Sequence, residues 1–488
     1  MFEESGRRDA AQRRLPLDPC LEHVDDAAAR ALAVLPPGPG LWAALAAVPE
    51  LTGPDDERSS DAVLLEVVAA AERLAAGAAT LGARALAALD ARWRAEAAAL
   101  AAQDPVAAAQ GRVRPWTDSE VGARLRLTDA DASALVWQAG QLAGPRSAVL
   151  AALGDGLVDL PRAAALVDRL AVLPADVAAA VEGRVLPGAG LLTVQTLRRR
   201  IDAEAVRVDA AGAAERAEAR RAERAVHRWA EPEATACTTV RGPADAVETI
   251  FQAIDARARS MRRDAVASGG RDDATLAAWR FDALHQIALD VLEGAHGPVA
   301  RTAASRPVAH VTVAATTLLG LDDSPGLLRG HGTVPAATAR RIAQDATWRR
   351  LLTDPVTGVA VGTEEQRYRP SALLAELVAH RHATCSAPGC GQPGWRADAD
   401  HVTPWPQGPT SAANLHPLCR YHHLVKHSAR GMTAAVSATG GTTWTTRTGH
   451  TYERDPDAVD QRAALRSPLA APPPAALPPP AEPPATAA

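Results

Sequence analysis

The chain has 488 residues, 47% of them apolar and only 3% aromatic, with a formal net charge of −5. That length suggests about three domains with ample material for a core, and the acidic balance argues against a protein that coats nucleic acid through bulk electrostatics. No apolar stretch follows the charges of Met1 to Arg8, and no run of about eighteen uncharged apolar residues occurs later, so neither a secretory leader nor a membrane span is expected.

Residues 1–58 are mixed and proline-dotted, and read as short helices or partial disorder. From Ser60 to Trp93 apolar residues recur at three and four spacing, including Leu64, Val68, Leu74, Leu81 and Leu89, the signal of an amphipathic helix. It opens a helical domain expected over 59–231. Two phrases within it, Ser119 to Ala139 and Leu150 to Leu170, have the cadence of helix, turn and helix. Both a DNA-reading pair and an ordinary hairpin fit, and the shortage of Arg, Asn and Gln in the second helices favours the hairpin. Leu191 to Glu231 reads as one long exposed helix, its arginines interleaved with Glu204, Glu215, Glu218 and Glu223.

A small α+β subdomain is expected over 232–366. Residues 234–240 read as a strand, helices follow from Asp245 to about Glu293, and a second β-rich run from Arg306 to Leu319 is expected to pair with the first. Turns fall at 322–326 and 330–332, and a helix starts at Pro335 and runs through Trp348 and Leu352. Ser371 caps a further helix carrying Leu373, Leu374, Leu377 and Val378. Two β-rich runs around Gly440 and Gly441 signal a hairpin, which would either extend the finger or meet DNA through Arg447, and the proline-rich 456–488 tail reads as disordered or polyproline-like. Cys20, Cys237 and His310 read as packing residues. Five cysteines, an odd number, without a leader point to a reducing cytoplasm, where thiols bind metal rather than one another.

Chemistry concentrates in 367–455. Seven of the fourteen histidines, three cysteines and the sole lysine, Lys426, lie between Val378 and Met432. Cys385 and Cys390 form a C-x4-C knuckle, and Cys419 with His422 a C-x2-H pair about thirty residues later. Two chelating pairs of soft or borderline donors suit the closed tetrahedron of structural zinc; buried free thiols are the bland alternative. Gly389 and Gly391 suit the tight knuckle.

The second set is Asp400, His401, Asn414, His423 and His427. Asp400 and His401 are neighbours in a short strand, Asp398 to Val402, and point to opposite faces, whereas His423 and His427 are four apart on a helix and share one. A strand-turn-strand followed by that helix would bring Asp400 and His423 onto one ion with His401 facing the same cavity, which is a hydrolytic arrangement. Arg381, Arg396, Arg420, Lys426 and Arg430 against Asp398 and Asp400 leave this stretch at +3, a local field of the sign that nucleic acid needs.

The order Asp-His, then Asn, then His, threaded through a knuckle, resembles the HNH endonuclease family with its ββα-metal fold. The fuller run R-H-A-T-C-S-A-P-G-C, D-H-V-T-P-W, G-P-T, N-L-H-P-L-C-R-Y-H-H, with G-H-G-T-V-P, D-A-T-W-R-R-L-L-T-D-P-V-T-G and Y-R-P-S upstream, is similar to a narrower actinobacterial group. That group joins a long N-terminal helical domain of unknown function to a C-terminal HNH nuclease domain. The fold class expected is therefore mainly α, with the small α+β subdomain and a ββα-metal nuclease domain held by a zinc knuckle.

The resemblance implies a metal-dependent DNA endonuclease leaving 5′-phosphate and 3′-hydroxyl ends. It makes His401 the general base and gives one divalent ion, Mg²⁺, Mn²⁺ or similar, to Asp400 and His423, with His427 as either a further ligand or a phosphate contact. Asn414 would tie down the loop that orients His401, and Arg381, Arg420 and Lys426 would meet phosphate. Two positions depart from the family pattern: the loop has one glycine, Gly408, where two are usual, and His382 stands where an acid is common. The rival expectation is a DNA-binding or mobile-element accessory protein with a catalytically idle finger. DNA is the partner in both readings.

Overall fold

A computed structural model of the chain describes residues 15, 26–47, 60–231, 234–269, 274–292, 310–344, 359–360, 368–428, 430–437 and 441–457. The expected helix beyond Gln344, Cys20 and most of the proline-rich tail lie outside these residues. The described chain is mainly helical, with small antiparallel sheets.

Two short helices, α1 (Ala27–Ala33) and α2 (Pro39–Ala46), precede α3 (Asp61–Gln103), whose 43 residues extend about 65 Å at 1.5 Å per residue. The Ser60 hydroxyl accepts the Val63 N–H at its start, and the helix stops before Pro105, which cannot donate to a preceding turn. There follow α4 (Pro105–Ala109), α5 (Thr117–Leu125), α6 (Asp129–Ala143), α7 (Ser147–Gly154), α8 (Leu160–Leu170), α9 (Ala175–Val185), α10 (Val194–Val208) and α11 (Ala210–Ala222).

The long helix enters two cores and then meets the C-terminal segment. Val63 and Ala70 pack with Leu32 and Leu41 near its start. Ala76 enters the largest cluster, formed by Leu142, Leu153, Leu166, Leu170, Val181, Leu197 and Ile201. Its far end presents Trp93 to the Arg447 guanidinium, 4.2 Å above the ring, and so meets the C-terminal segment. Full burial of each leucine contributes about 1.5–3 kcal/mol, so the middle cluster dominates the helical body. The two helix-turn-helix phrases are α5–α6 and α7–α8, packed as bundle hairpins: α6 buries Ala132, Val136, Ala139 and Leu142.

Beyond α11 the order is β1 (Ala225–Glu231), β2 (Thr235–Arg241), α12 (Ala244–Ala267), α13 (Leu276–Leu292), β3 (Val311–Thr312), α14 (Ala315–Leu318), β4 (Gly326–Leu328), β5 (Gly332–Val334) and α15 (Ala336–Ala343). Two expectations are corrected here. The single helix expected over Leu191–Glu231 breaks at Asp209, whose backbone leaves the helical region (φ −143, ψ 78) so that its carboxylate accepts the Gly212 N–H and starts α11, and its last seven residues are strand β1. That strand pairs with β2, placing Trp229 opposite Cys237, while β3 pairs with β4. The two β-rich runs therefore each find a local partner instead of one another, and the expected boundary at 231/232 falls inside a hairpin.

The C-terminal segment holds α16 (Ala372–Arg381), β6 (Asp398–His401), β7 (Leu415–Leu418), α17 (Arg420–Lys426), β8 (Thr433–Val436), β9 (Thr442–Thr445) and β10 (Thr451–Arg454). Ser371 caps α16 by accepting the Leu374 N–H, as its sequence indicates. The hairpin read around Gly441 gains a third strand, giving a sheet ordered β10-β9-β8. No described helix is long and apolar enough to cross a membrane.

Candidate functional site

The knuckle, the end of β7 and the start of α17 bring Cys385, Cys390, Cys419 and His422 together, one donor atom from each within 4.8 Å of the others. The Cys390 and Cys419 sulfurs are 4.0 Å apart, and His422 Nδ1 lies 3.7 Å from the Cys385 sulfur and 3.4 Å from that of Cys419. A zinc tetrahedron with sulfurs at about 2.3 Å and an imidazole at about 2.0 Å would set its donors roughly 3.5–3.8 Å apart, so the set fits such an ion. Cys419 also caps α17, its sulfur accepting the His422 N–H at 3.5 Å. Bonds from the Cys385 and Cys390 thiols hold the Cys419 sulfur well below the ordinary thiol range. Burial pulls the His422 imidazole down, but the Cys385 and Cys419 sulfurs outweigh it and push it up to about 10. Gly389 has φ +79, and a Cβ there would stand 2.4 Å from the Leu127 carbonyl oxygen.

A second group forms across β6 and α17: Asp400, His423 and His427 also offer donor atoms within 4.8 Å of one another. The two oxygens of Asp400 divide their work. Oδ1 faces the imidazoles, 3.3 Å from His427 Nε2 and 3.5 Å from His423 Nε2. Oδ2 is anchored from beneath by His416 Nε2 at 3.2 Å and by the Lys426 ammonium. His416 lies opposite Asp400 in the β6–β7 register, is fully buried, and bonds through Nδ1 to the Ser386 hydroxyl at 2.8 Å. Burial would raise the Asp400 carboxyl, yet the bonds from His416, His427 and Lys426 hold it far below the usual carboxylate range. Burial lowers His416, so its neutral ring donates from Nε2 to the ionised Asp400 and accepts the Ser386 proton at Nδ1. His423 is lowered by burial as well, against the pull of Asp400. Its lone pair is thereby available at neutral pH.

His401 stands at the end of β6, stacked on Tyr368 with ring centroids 5.5 Å apart. Its Nε2 is 2.9 Å from Thr410 Oγ1, and the Thr410 hydroxyl donates onward to the Tyr368 carbonyl at 3.5 Å. With that proton committed, Thr410 accepts from Nε2–H and leaves the lone pair of His401 on Nδ1. Burial lowers this imidazole and Asp400 opposes the shift. Asn414 is buried and knots the loop after β6: Oδ1 accepts the Thr403 N–H at 2.9 Å, and Nδ2 donates to the carbonyls of Thr403 at 3.0 Å and Pro409 at 2.8 Å. Gly408 packs into this knot, where a Cβ would lie 2.5 Å from both Asn414 Nδ2 and the Thr403 oxygen. One glycine is therefore required at that place.

Two of the cations expected to meet phosphate are placed otherwise. Arg381 donates to the Ala360 carbonyl at 3.0 Å and is partly buried at the end of α16. Lys426 turns inward, its ammonium on Asp400 and on the His401 carbonyl, because its position on α17 faces β6. Arg420 stays exposed at the first turn of α17. Arg447 pairs with Glu96 and stacks on Trp93, so it belongs to the contact with α3 and not to open solvent. Sequence reading missed His416, Ser386 and Thr410. Strand alternation places His416 on the face of β7 that meets Asp400, a signal that could have found it; nothing local marks the other two.

The C-terminal segment is docked on the helical body. Glu120 of α5 accepts from the hydroxyl of Thr446 at 2.7 Å and the backbone of Arg447 at 3.2 Å, Tyr421 donates to Asp118 at 2.7 Å, and Trp116 Nε1 to Ser428 at 2.9 Å. A family model described as a domain of unknown function, DUF222, matches residues 61–382. The chain belongs to that family. The DUF222 match ends just before Cys385, so both ligand groups lie outside it while their docking partners on α3, α5 and α6 lie inside.

Among similar proteins are three uncharacterized proteins of Mycobacterium tuberculosis. Rv3776 is 39% identical over 132 residues, 27% of this chain and 25% of that protein. Rv2100 is 39% identical over 127 residues, 26% and 22% of the two chains, and Rv1128c 30% over 135 residues, 27% and 29%. The chain thus matches only about a quarter of the length of these curated relatives. No solved structure matches it.

Proposed function

We propose that the chain is a metal-dependent DNA endonuclease of the HNH type, its ββα-metal unit formed by β6, β7 and α17. The observation that carries this reading is the split role of Asp400, with Oδ2 fixed by buried groups and Oδ1 turned to His423 and His427, beside a neutral His401. Asp400, His423 and His427 would hold a divalent ion such as Mg²⁺ or Mn²⁺, their donor set being one carboxylate and two imidazoles. When bound, such an ion supplies Lewis acidity to the scissile phosphate and to the departing 3′ oxygen.

The chain's own groups do the rest. His401 takes a proton from the attacking water at Nδ1 while Thr410 keeps its Nε2–H in place. Asn414 fixes the loop between the two strands, so His401 keeps its orientation. Ser386 and His416 hold the Asp400 carboxylate ionised and aimed. Of Arg381, Arg420 and Lys426, Arg420 is the one left exposed, and it would meet phosphate.

The test is plasmid nicking by the full chain with Mg²⁺, Mn²⁺ or Ni²⁺, alongside His401→Ala. Cleavage by the wild type and its loss in the variant are expected, with a 5′-phosphate on the product. Activity that survives the substitution removes the base assigned here. The inward Lys426 ammonium, a cation already seated on Asp400, favours the second reading, an idle finger that only binds DNA. Metal-independent DNA affinity without cleavage under any divalent ion selects it.

A further inference from the structure

The cysteine-histidine cluster has a polar neighbour that does not come from its own segment. Asp129, the first residue of α6, lies in the DUF222 region. Its Oδ1 is 3.4 Å from His422 Nε2, and its Oδ2 is 3.1 Å from the Cys390 sulfur. The His422 side chain is only 1% exposed, so no bulk water reaches the ring to serve Nε2. Its other nitrogen, Nδ1, faces the sulfurs of Cys385 and Cys419.

A ligating imidazole that presents Nδ1 must keep its proton on Nε2. An outer carboxylate accepting that proton's bond fixes both tautomer and ring angle and raises the basicity of the ligating nitrogen. Asp129 is held where it can do so. The turn between α5 and α6 presses directly on the knuckle, leaving no space for a Cβ at Gly389 against the Leu127 carbonyl. Next to it, Asp118 receives the Tyr421 hydroxyl and the Ser133 hydroxyl, clamping α17 to the same two helices. The Oδ2 contact needs a protonated Cys390 and is given up in a thiolate site. The Oδ1 contact is kept, because the bound imidazole retains Nε2–H.

We propose that Asp129 is the outer carboxylate of the Cys385, Cys390, Cys419 and His422 zinc centre, so that the helical body completes a metal site whose inner ligands all belong to the C-terminal segment. Asp129 is a positioning residue: it acts on the ion through His422. The inference rests on this cluster taking zinc and is independent of nuclease activity. It ties metal retention to the docking of the two regions.

The experiment uses the full chain loaded with zinc, with release to 4-(2-pyridylazo)resorcinol followed by absorbance in the wild type, Asp129→Ala, Asp129→Asn and Glu120→Gln. Glu120 lies on the same docking face and binds the β9–β10 turn without touching a ligand. Zinc affinity is expected to fall roughly 10–100-fold in Asp129→Ala, the usual cost of losing such a partner. Asn, which keeps an acceptor without the charge, should fall between, and Glu120→Gln should stay within about twofold of the wild type. Cobalt-substituted Asp129→Ala should keep its thiolate-to-cobalt bands, since the inner ligands are untouched. An Asp129→Ala affinity within about twofold of the wild type overturns the proposal. So does equal loss in Glu120→Gln, which would assign the effect to docking alone, or loss of the cobalt bands, which would make Asp129 a folding residue. Wild-type chain that retains no zinc would remove the zinc reading itself, and the proposal with it.

Discussion

Replacing Asn414 by Ala tests how the loop between β6 and β7 is held. Its amide makes three bonds of 2.8–3.0 Å to the backbone of Thr403 and Pro409 in a buried setting. At about 1 kcal/mol net for each, removal costs the closed loop about 3 kcal/mol, or about 100-fold in its local opening equilibrium. Hydrogen exchange reads this directly, because the Thr403 amide loses its acceptor. Exchange at Thr403 should accelerate about 100-fold while amides in α8 and α10 keep their protection, and nicking, where present, should fall in parallel. Asn414→Asp should do at least as much harm, since its carboxylate would face two carbonyl oxygens in place of the donating Nδ2. Unchanged exchange at Thr403 in the Ala variant would show that the loop is held by something else and sink the role given to Asn414.

Gly408→Ala should open the same loop, because its methyl would meet Asn414 Nδ2 and the Thr403 oxygen at 2.5 Å, and exchange at Thr403 again reports it. Burial lowers His382 to about 3, so the unfolded chain takes up its proton first as pH falls through about 6.5. Stability from this site is therefore full above that pH and drains as pH drops towards about 3; urea midpoints at pH 7 and pH 5 should differ less in His382→Phe than in the wild type. Chelation of zinc should expose amides in α17 and the knuckle while α8 and α10 stay protected, because Cys385, Cys390 and Trp444 belong to a different core from Leu166 and Ile201. Leu166→Ala, at a fully buried position, should cost about 2–5 kcal/mol in urea unfolding without altering zinc content.

The long helix α3, the start of α16 and the two clusters of Cys, His and Asp were legible in sequence because their signals are local. Apolar spacing from Ser60 to Trp93 marks α3, Ser371 marks the start of α16, and the paired spacings of Cys385 with Cys390 and Cys419 with His422 mark a chelating set. The i, i+4 relation of His423 to His427 already implies one face. Strand partners were a different matter: β1 carried helix-like arginine and glutamate spacing before it, and only the neighbouring β2 could settle its conformation. Pairing energy comes from the partner strand, which a single segment does not contain.

Composition and short-range spacing determined that this protein is mainly helical and gathers a cysteine-rich group and an aspartate-histidine group in one C-terminal stretch. Tertiary structure alone decided that Lys426 and Arg381 turn inward, that His416 and Ser386 stand behind Asp400, and that Asp129 reaches His422 from a distant helix. The first kind of fact depends on periodicity within one element. The second depends on which buried polar atom is left facing which, and that is fixed only when elements far apart in the chain close on one another and exclude water between them.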